Sequence, residues 1–218
     1  MKKSVKKIFL YVSGLLILAM GVNVSKAAQL GISPVSAIPY ALELIWNIEL
    51  GKAVFIFNIF LIALQIALLR KNFKPIQLLQ IVCTFLFGLF VTYTGKEFLL
   101  FWLPIPSLYI IKLLYLFVSI VIIGIGVSFY LIPDYIPLPA EGTMNSIVEL
   151  SKGKLKFSNV KVSVDSSMVA VSALLSIIFL GQLKSVREGT IIAALLIGKV
   201  VGFVFKRYKP QIVEWIEK

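Results

Sequence analysis

Residues 9–22, FLYVSGLLILAMGV, return as residues 113–127, LLYLFVSIVIIGIGV, and this repetition decides the fold. Pro34 returns in the same way as Pro139, at an offset of 105, and further along the chain the offset grows to 110. Each copy holds three apolar stretches. Because three crossings are an odd number, the second copy is predicted to run upside down relative to the first. Such inverted repeats are the usual architecture of transporters, with a site near the membrane midplane where the halves meet.

The composition is that of a membrane protein. Of the 218 residues, 59% are hydrophobic and 15% are charged, whereas a soluble domain carries roughly a quarter charged residues. Several apolar runs approach the ~20 residues that cross a bilayer. The sequence therefore predicts an all-α polytopic membrane protein with one membrane domain, residues 1–218, made of repeat one at about 7–95 and repeat two at about 108–207. The six predicted spans are 7–27, 53–70, 76–95, 108–132, 164–183 and 189–206.

The basic residues orient these spans. The net charge is +12, and 15 of the 22 Lys and Arg residues fall on one side if both termini are cytoplasmic, against six on the other side. Because cytoplasmic loops of membrane proteins carry an excess of Lys and Arg, we expect a protein of the cell membrane with both termini in the cytoplasm. An aromatic belt at the outer interface is expected from Phe98, Phe101 and Trp102. Because the Lys and Arg residues gather on one side of the membrane, topology accounts for the net positive charge. We therefore expect membrane lipids and not nucleic acid as partners.

The residue types exclude most kinds of catalytic and metal site. The chain has no histidine, and Cys83 is its single cysteine. A zinc site of Cys and His and an internal disulfide are therefore excluded. The sequence also shows no nucleophile–base pair, paired carboxylate or phosphate-binding glycine loop. We expect the protein not to be an enzyme and to hold no cofactor or metal.

Two further stretches, 34–46 and 139–151, are too short to span a bilayer. Both begin with proline, which is favoured at the first position of a helix. We interpret each as a short re-entrant helix that aims its positive N-terminal end into a cavity, where it would attract an anionic group. The alternative is an interfacial helix that lies on the membrane. The N-terminal residues concerned are Ser33, Pro34, Pro139 and Gly142.

Polar residues inside the predicted spans are candidate binding residues, because lipid penalises them unless they face a partner or a wet cavity. Asn58 has Asp165 as its counterpart in repeat two, and Gln65 follows Asn58 on the same helical face. At the offset of 110, two glutamines of repeat one correspond to Arg and Thr in repeat two. The predicted substrate-binding set is Asn58, Gln65, Gln77, Gln80, Glu141, Asp165, Arg187 and Thr190.

Several of these residues also have structural interpretations. Arg187 would hold a carboxylate or phosphate through paired hydrogen bonds, or it would bind lipid headgroups. Asp165 would take part in proton coupling, or it would form a buried pair with Lys199 of the last span. Small residues in the spans are interpreted as helix-packing positions, with a small-xxx-small pair in the last span. They are Gly14, Gly21, Gly124, Gly126, Gly198 and Gly202.

A family resemblance rests on residues 28–34, AQLGISP, and residues 186–190, VREGT, together with Asn58 and Gln65. On these residues the chain resembles the bacterial YitT/YczE-type family of multi-pass membrane proteins. The resemblance covers most of the chain, and it favours the shorter YczE-like branch, which lacks a soluble C-terminal domain. It implies an integral protein of the cytoplasmic membrane whose molecular activity is unassigned.

We expect a small-solute transporter or permease in which the two repeats rock about the polar site. The expected solutes include anions. Two alternatives stay open. One is a substrate-binding or accessory membrane subunit of a larger transport complex, and the other is a lipid-handling membrane protein. Assembly as a homo-oligomer, or with a partner membrane protein, is left open as well.

Overall fold

The computed structural model describes residues 3–95, 103–152 and 154–218, and all regular secondary structure in these ranges is helical. Six helical segments there are long and apolar enough to cross a membrane. The predicted aromatic belt lies outside the described residues. In chain order the elements are α1 (Lys3–Ala28), α2 (Pro34–Trp46), α3 (Leu50–Leu69), the 3-10 turns Arg70–Asn72 and Pro75–Leu79, α4 (Gln80–Tyr93), α5 (Tyr109–Leu131), α6 (Pro139–Leu150), α7 (Phe157–Leu180) and α8 (Glu188–Glu217).

The six predicted spans are confirmed as helices, and the two short helices begin at the predicted prolines, Pro34 and Pro139. Two helix ends differ from the prediction by seven residues or more. The first is the start of α7, which lies at Phe157 and not at 164. Lys161 of this added segment forms an ion pair at 2.9 Å with Asp165, which lies one turn further along α7. Pairs at this spacing stabilise a helix, which explains why α7 extends into a charged stretch.

The second difference is the end of α8, which runs on to Glu217 and not to 206. These added turns are held by the start of α1. The ammonium of Lys6 donates a hydrogen bond to the carbonyl oxygen of Trp215 at 2.8 Å and lies 5.3 Å from the centre of its ring. Ile216 is buried in one cluster with Leu10 and Ile132. Tertiary contacts of this kind are invisible to a reading of local hydropathy.

The chain divides into two compact units, and each takes segments from both predicted repeats. The first unit comprises Met1–Ser33, Phe90–Tyr135 and Arg187–Lys218, and it contains α1, α5 and α8. Within it α1 and α5 meet at Gly14 and Gly126, where a Cβ on either residue would come within 3.0 Å of backbone atoms of the other helix. Glycine permits membrane helices to approach this closely, and the packing role predicted for these two positions is confirmed.

The glycine pair of α8 departs from this pattern. A Cβ added at Gly198 or at Gly202 would meet nothing within 4 Å. α8 packs on α5 through a different face, where Ala193 is buried with Leu116 and Ile120. The prediction that Gly198 and Gly202 pack against another helix is therefore wrong within the described part of the chain.

The second unit comprises Pro34–Leu89 and Ile136–Val186, and it contains α2, α3, α6, α7 and most of α4. α2 packs against α7 and α3, while α6 packs against α3 and α7. Each short helix thus contacts a long helix from each predicted repeat. Buried residues of α2 and α6 concentrate in their N-terminal halves. The core of this unit includes Phe57, Leu61, Ala140 and Met168.

Candidate functional site

Two glutamine side chains form the centre of the candidate site in the second unit. Nε2 of Gln65 in α3 donates to Oε1 of Gln80 in α4 at 3.0 Å, and Nε2 of Gln80 donates to Oε1 of Gln65 at 3.2 Å. Their exposed fractions are 0% and 1%. Because a primary amide both donates and accepts, the two side chains close a ring of hydrogen bonds that ties α3 to α4.

The start of α6 packs on this pair. Nε2 of Gln65 also donates to the carbonyl oxygen of Pro139 at 3.1 Å, and the hydroxyl of Thr143 donates to the same oxygen at 2.8 Å. A Cβ at Gly142 would lie 2.7 Å from Oε1 of Gln65 and 2.7 Å from Nε2 of Gln80. Glycine is therefore required at position 142 for α6 to approach the two amides. Glu141 is half-buried in the same first turn, where a carboxylate complements the helix dipole.

A second polar pair lies further along the same two helices. Nδ2 of Asn58 donates to the hydroxyl of Thr84 at 2.6 Å, and both side chains are buried. Asn58 precedes Gln65 by seven residues on α3, and Thr84 follows Gln80 by four residues on α4, so each pair of positions shares a helical face. At 1.5 Å per residue, Asn58 and Gln65 are about 10 Å apart along α3. We call Asn58, Gln65, Gln80 and Thr84 the polar seam.

Thr84 was missed in the sequence analysis, although its spacing of four from Gln80 marked it. Gln77 was predicted as a binding residue, and the structure gives it a local contact. Its Oε1 accepts the backbone N–H of Lys74 at 3.1 Å and closes the 3-10 turn there. This amide takes no part in the hydrogen bonds of the polar seam.

Asp165 lies in the second unit, on α7. Its Oδ2 pairs with Nζ of Lys161 at 2.9 Å, and its side chain is 13% exposed. Among the described residues its ion-pair partner is therefore Lys161, not the predicted Lys199. Oδ1 of Asp165 is buried and has no hydrogen-bond partner within the described chain. This oxygen is an acceptor that a proton, a cation or a donor group could satisfy.

Arg187, another predicted binding residue, lies in the first unit at the start of α8. Its Nη1 donates to the carbonyl oxygen of Gln29 at 2.9 Å, and its Nη2 lies 3.3 Å from Oε1 of Glu188. The backbone N–H of Gly189 donates to the carbonyl oxygen of Leu30 at 2.8 Å. These contacts satisfy donors at the N-terminus of α8 with the segment that follows α1.

Gly31 lies at the same contact, between the segment that follows α1 and the start of α8. Its φ of +92° lies in the region that glycine favours, and a Cβ there would collide with the hydroxyl of Thr190, which is fully buried. The segments 28–34 and 186–190, which carry the family resemblance, thus contact one another. Their residue pattern has a structural explanation, and solute binding by Arg187 or Thr190 stays a prediction. Ser33 is buried at the end of the first segment, and Pro34 begins α2.

A cluster of buried serines was not predicted. The hydroxyl of Ser172 on α7 donates to the carbonyl oxygen of Ala37 on α2 at 2.8 Å and lies 2.9 Å from the hydroxyl of Ser185. Ser176, one turn after Ser172, donates to the carbonyl oxygen of Gln182 at 2.7 Å. These bonds tie α2 and the loop after α7 to α7. Within the described ranges no three His, Cys, Asp or Glu side chains are grouped so that they could hold a metal ion.

The described residues contain six helices of spanning length, with hydrogen-bonded polar side chains buried among them, which places the chain in the class of multi-pass helical membrane proteins. The chain belongs to a family of unknown function, DUF6198, whose family model matches residues 5–206. A search of curated proteins found no match, and a search of solved structures found none either. The resemblance to YitT/YczE-type proteins stays a prediction.

Proposed function

We propose that the chain is a small-solute transporter of the cell membrane and that the polar seam is its solute site. The observation that carries this proposal is the fully buried Gln65–Gln80 pair held against Pro139. Hydrogen bonds between membrane helices contribute only about 0.6 kcal/mol on average, so stability alone is a weak reason to place two amides there. Polar side chains that face the interior of a membrane bundle are typical of solute and ion pathways.

The hydrogen bonds of the pair suggest the chemistry of the solute. Gln65 uses both amide hydrogens, whereas Gln80 uses one and has no acceptor for the other among the described residues. When the pair opens, two amides become available beside the N-terminal end of α6, where the helix dipole favours negative charge. We expect a small polar solute with a carboxylate or carbonyl oxygen.

The packing of the short helices supports a site between two repeats. Gln65 belongs to predicted repeat one and Pro139 to predicted repeat two, so their hydrogen bond joins the repeats inside the second unit. α2 contacts α7 and α6 contacts α3, which is the reciprocal pattern expected of two related halves. We propose that α2 and α6 are re-entrant and that a shift of α6 opens the amide pair to one side of the membrane at a time. The charge distribution supports cytoplasmic termini.

The test is a solute screen on the purified full chain. Thermal unfolding is followed in lipid nanodiscs with amino acids, dicarboxylates, phosphate and neutral sugars, because a bound solute stabilises the folded state, by about 2.7 kcal/mol at a hundredfold excess over Kd. We expect at least one solute to raise Tm in the wild type and in Gln211→Ala, a control at an exposed glutamine. The increase should vanish in Gln80→Leu, measured against that variant's own baseline.

The same solute should then enter proteoliposomes that contain the wild type. A screen without any stabilising solute, or a shift that persists in Gln80→Leu, would contradict the proposed site. Binding without uptake would contradict transport and favour a substrate-binding subunit.

A further inference from the structure

One face of α8 has no partner in the described chain. Ile191, Leu195 and Phe203 on this face are 61%, 66% and 62% exposed. Their positions and those of the neighbouring small residues follow the spacing of a single helical face. We call this surface the open face of α8, and it consists of Ile191, Leu195, Gly198, Lys199, Gly202 and Phe203.

The opposite face of α8 packs inside the first unit. Ala193 is buried against the cluster of α1 and α5, and Ile197 and Val200 pack on the same cluster. Val200 also lies against Gly124 of α5, where a Cβ would come within 3.0 Å of the valine side chain. The open face is therefore a surface that remains after α8 has packed in the first unit, and the two glycines leave a notch in it.

Lys199 places a charge in the middle of this apolar surface. At 1.5 Å per residue it is about 16 Å from the start of α8 at Glu188 and about 10 Å from Lys206, which is near the middle of a hydrocarbon core about 30 Å thick. Lys199 is exposed and makes no hydrogen bond or ion pair within the described residues. A lysine at this depth is costly in lipid, and membrane proteins pair such residues.

We infer that the open face of α8 docks a transmembrane helix of another membrane protein, and that this helix carries an Asp or Glu opposite Lys199. Charge complementarity defines the partner, because an acidic side chain at the same depth would neutralise the ammonium where no water can solvate it. The notch at Gly198 and Gly202 would let the two backbones approach closely enough for that pair to form. The inference does not depend on the proposed transport function.

Two other occupants fit the surface less well. A second copy docked through the same face would bring two Lys199 ammonium groups together. A second copy docked through another of its described spans could offer Lys199 only Asp165, and that carboxylate is already paired with Lys161. Lipid phosphates lie at the membrane surface, which the lysine side chain reaches only in part by snorkelling. A helix with a buried acid is the occupant that matches both the charge and its depth.

The test uses synthetic transmembrane helices as probes. Full-length protein labelled with a donor dye is reconstituted in phosphatidylcholine vesicles, and energy transfer is measured to polyleucine helices with one central Asp, Asn or Lys. We expect the Asp helix to bind about tenfold more tightly than the Asn helix, the ratio that one charge-assisted hydrogen bond gives. Lys199→Met should remove this preference. Lys206→Met, an exposed lysine on the same face at the membrane edge, should retain it.

Equal binding of all three helices, or an Asp preference that survives in Lys199→Met, would overturn the inference. Tighter self-association of Lys199→Met than of the wild type would assign the surface to a second copy. Loss of the Asp preference on addition of phosphatidylglycerol would assign it to lipid. In native membranes, a photocrosslinker at Leu195 should capture a protein whose helix contains an acid at that depth. Lys199→Asp should then lose the crosslink, and lysine in place of the partner's acid should restore it.

Discussion

Removal of one glutamine of the Gln65–Gln80 pair is expected to destabilise the protein as much as removal of both. Gln80→Leu breaks the bonds at 3.0 and 3.2 Å, which amount to about 1.2 kcal/mol at the average for membrane helices. An unsatisfied buried amide adds about 1 kcal/mol, so the expected loss is about 2 kcal/mol. Gln65→Leu also breaks the bond to Pro139 and is expected to cost about 3 kcal/mol.

The double variant leaves no orphaned amide and places two apolar side chains of similar volume together. Its expected cost is no more than about 2 kcal/mol, so the two substitutions should deviate from additivity by about 3 kcal/mol. Reversible unfolding of the full chain in mixed micelles, followed by far-UV circular dichroism, measures each value. Gln77→Leu is the matched control and should change stability by about 0.5 kcal/mol or less, since its amide serves one 3-10 turn. A double variant that loses the sum of the single losses would refute the reciprocal pair.

Further predictions concern close packing, charge and topology. Gly142→Ala places a methyl group against both amides and should lower the free energy of unfolding by about 1–3 kcal/mol. A second substitution, of one contacted glutamine by alanine, should recover part of that loss. Lys161→Met removes the counterion of Asp165 and should cost about 1 kcal/mol, while the added Asp165→Asn should restore stability; further loss in that double variant would show that the ion pair is unimportant. Single cysteines at positions Lys74 and Lys184, in a chain without the native cysteine, should react with an impermeant thiol reagent from opposite sides of the membrane. Reaction from one side would refute the inverted repeat.

Local signals in the sequence were sufficient to predict where the helices lie. Apolar length predicted the six spans, because the hydrocarbon thickness sets the length of a spanning helix. Proline marked the starts of α2 and α6 because its missing N–H and fixed φ suit a first turn. Gly14 and Gly126 were predicted as packing positions, and the structure shows the backbone contact that they permit.

Side-chain pairing required the three-dimensional structure. Gln65 and Gln80 were predicted as separate ligands for a solute, yet they satisfy one another across two helices. A polar residue in an apolar helix shows that a partner is needed, but it does not show which residue supplies it. The same limit applies to Ser172 and Ser185, and to Asp165, whose partner is a lysine on its own helix.

The link between Lys6 and Trp215, supported by the ion pair of Lys3 with Glu217 at 3.6 Å, has a consequence for biosynthesis. α1 leaves the ribosome before α8, and the helices of the second unit emerge between them. α1 therefore waits in the bilayer without α5 and α8, and the first unit closes only after translation has passed α8. A nascent chain interrupted before that point can still pair α1 with α5, but Gly124 of α5 then lacks Val200 of α8, and the start of α1 lacks the contacts that close the first unit.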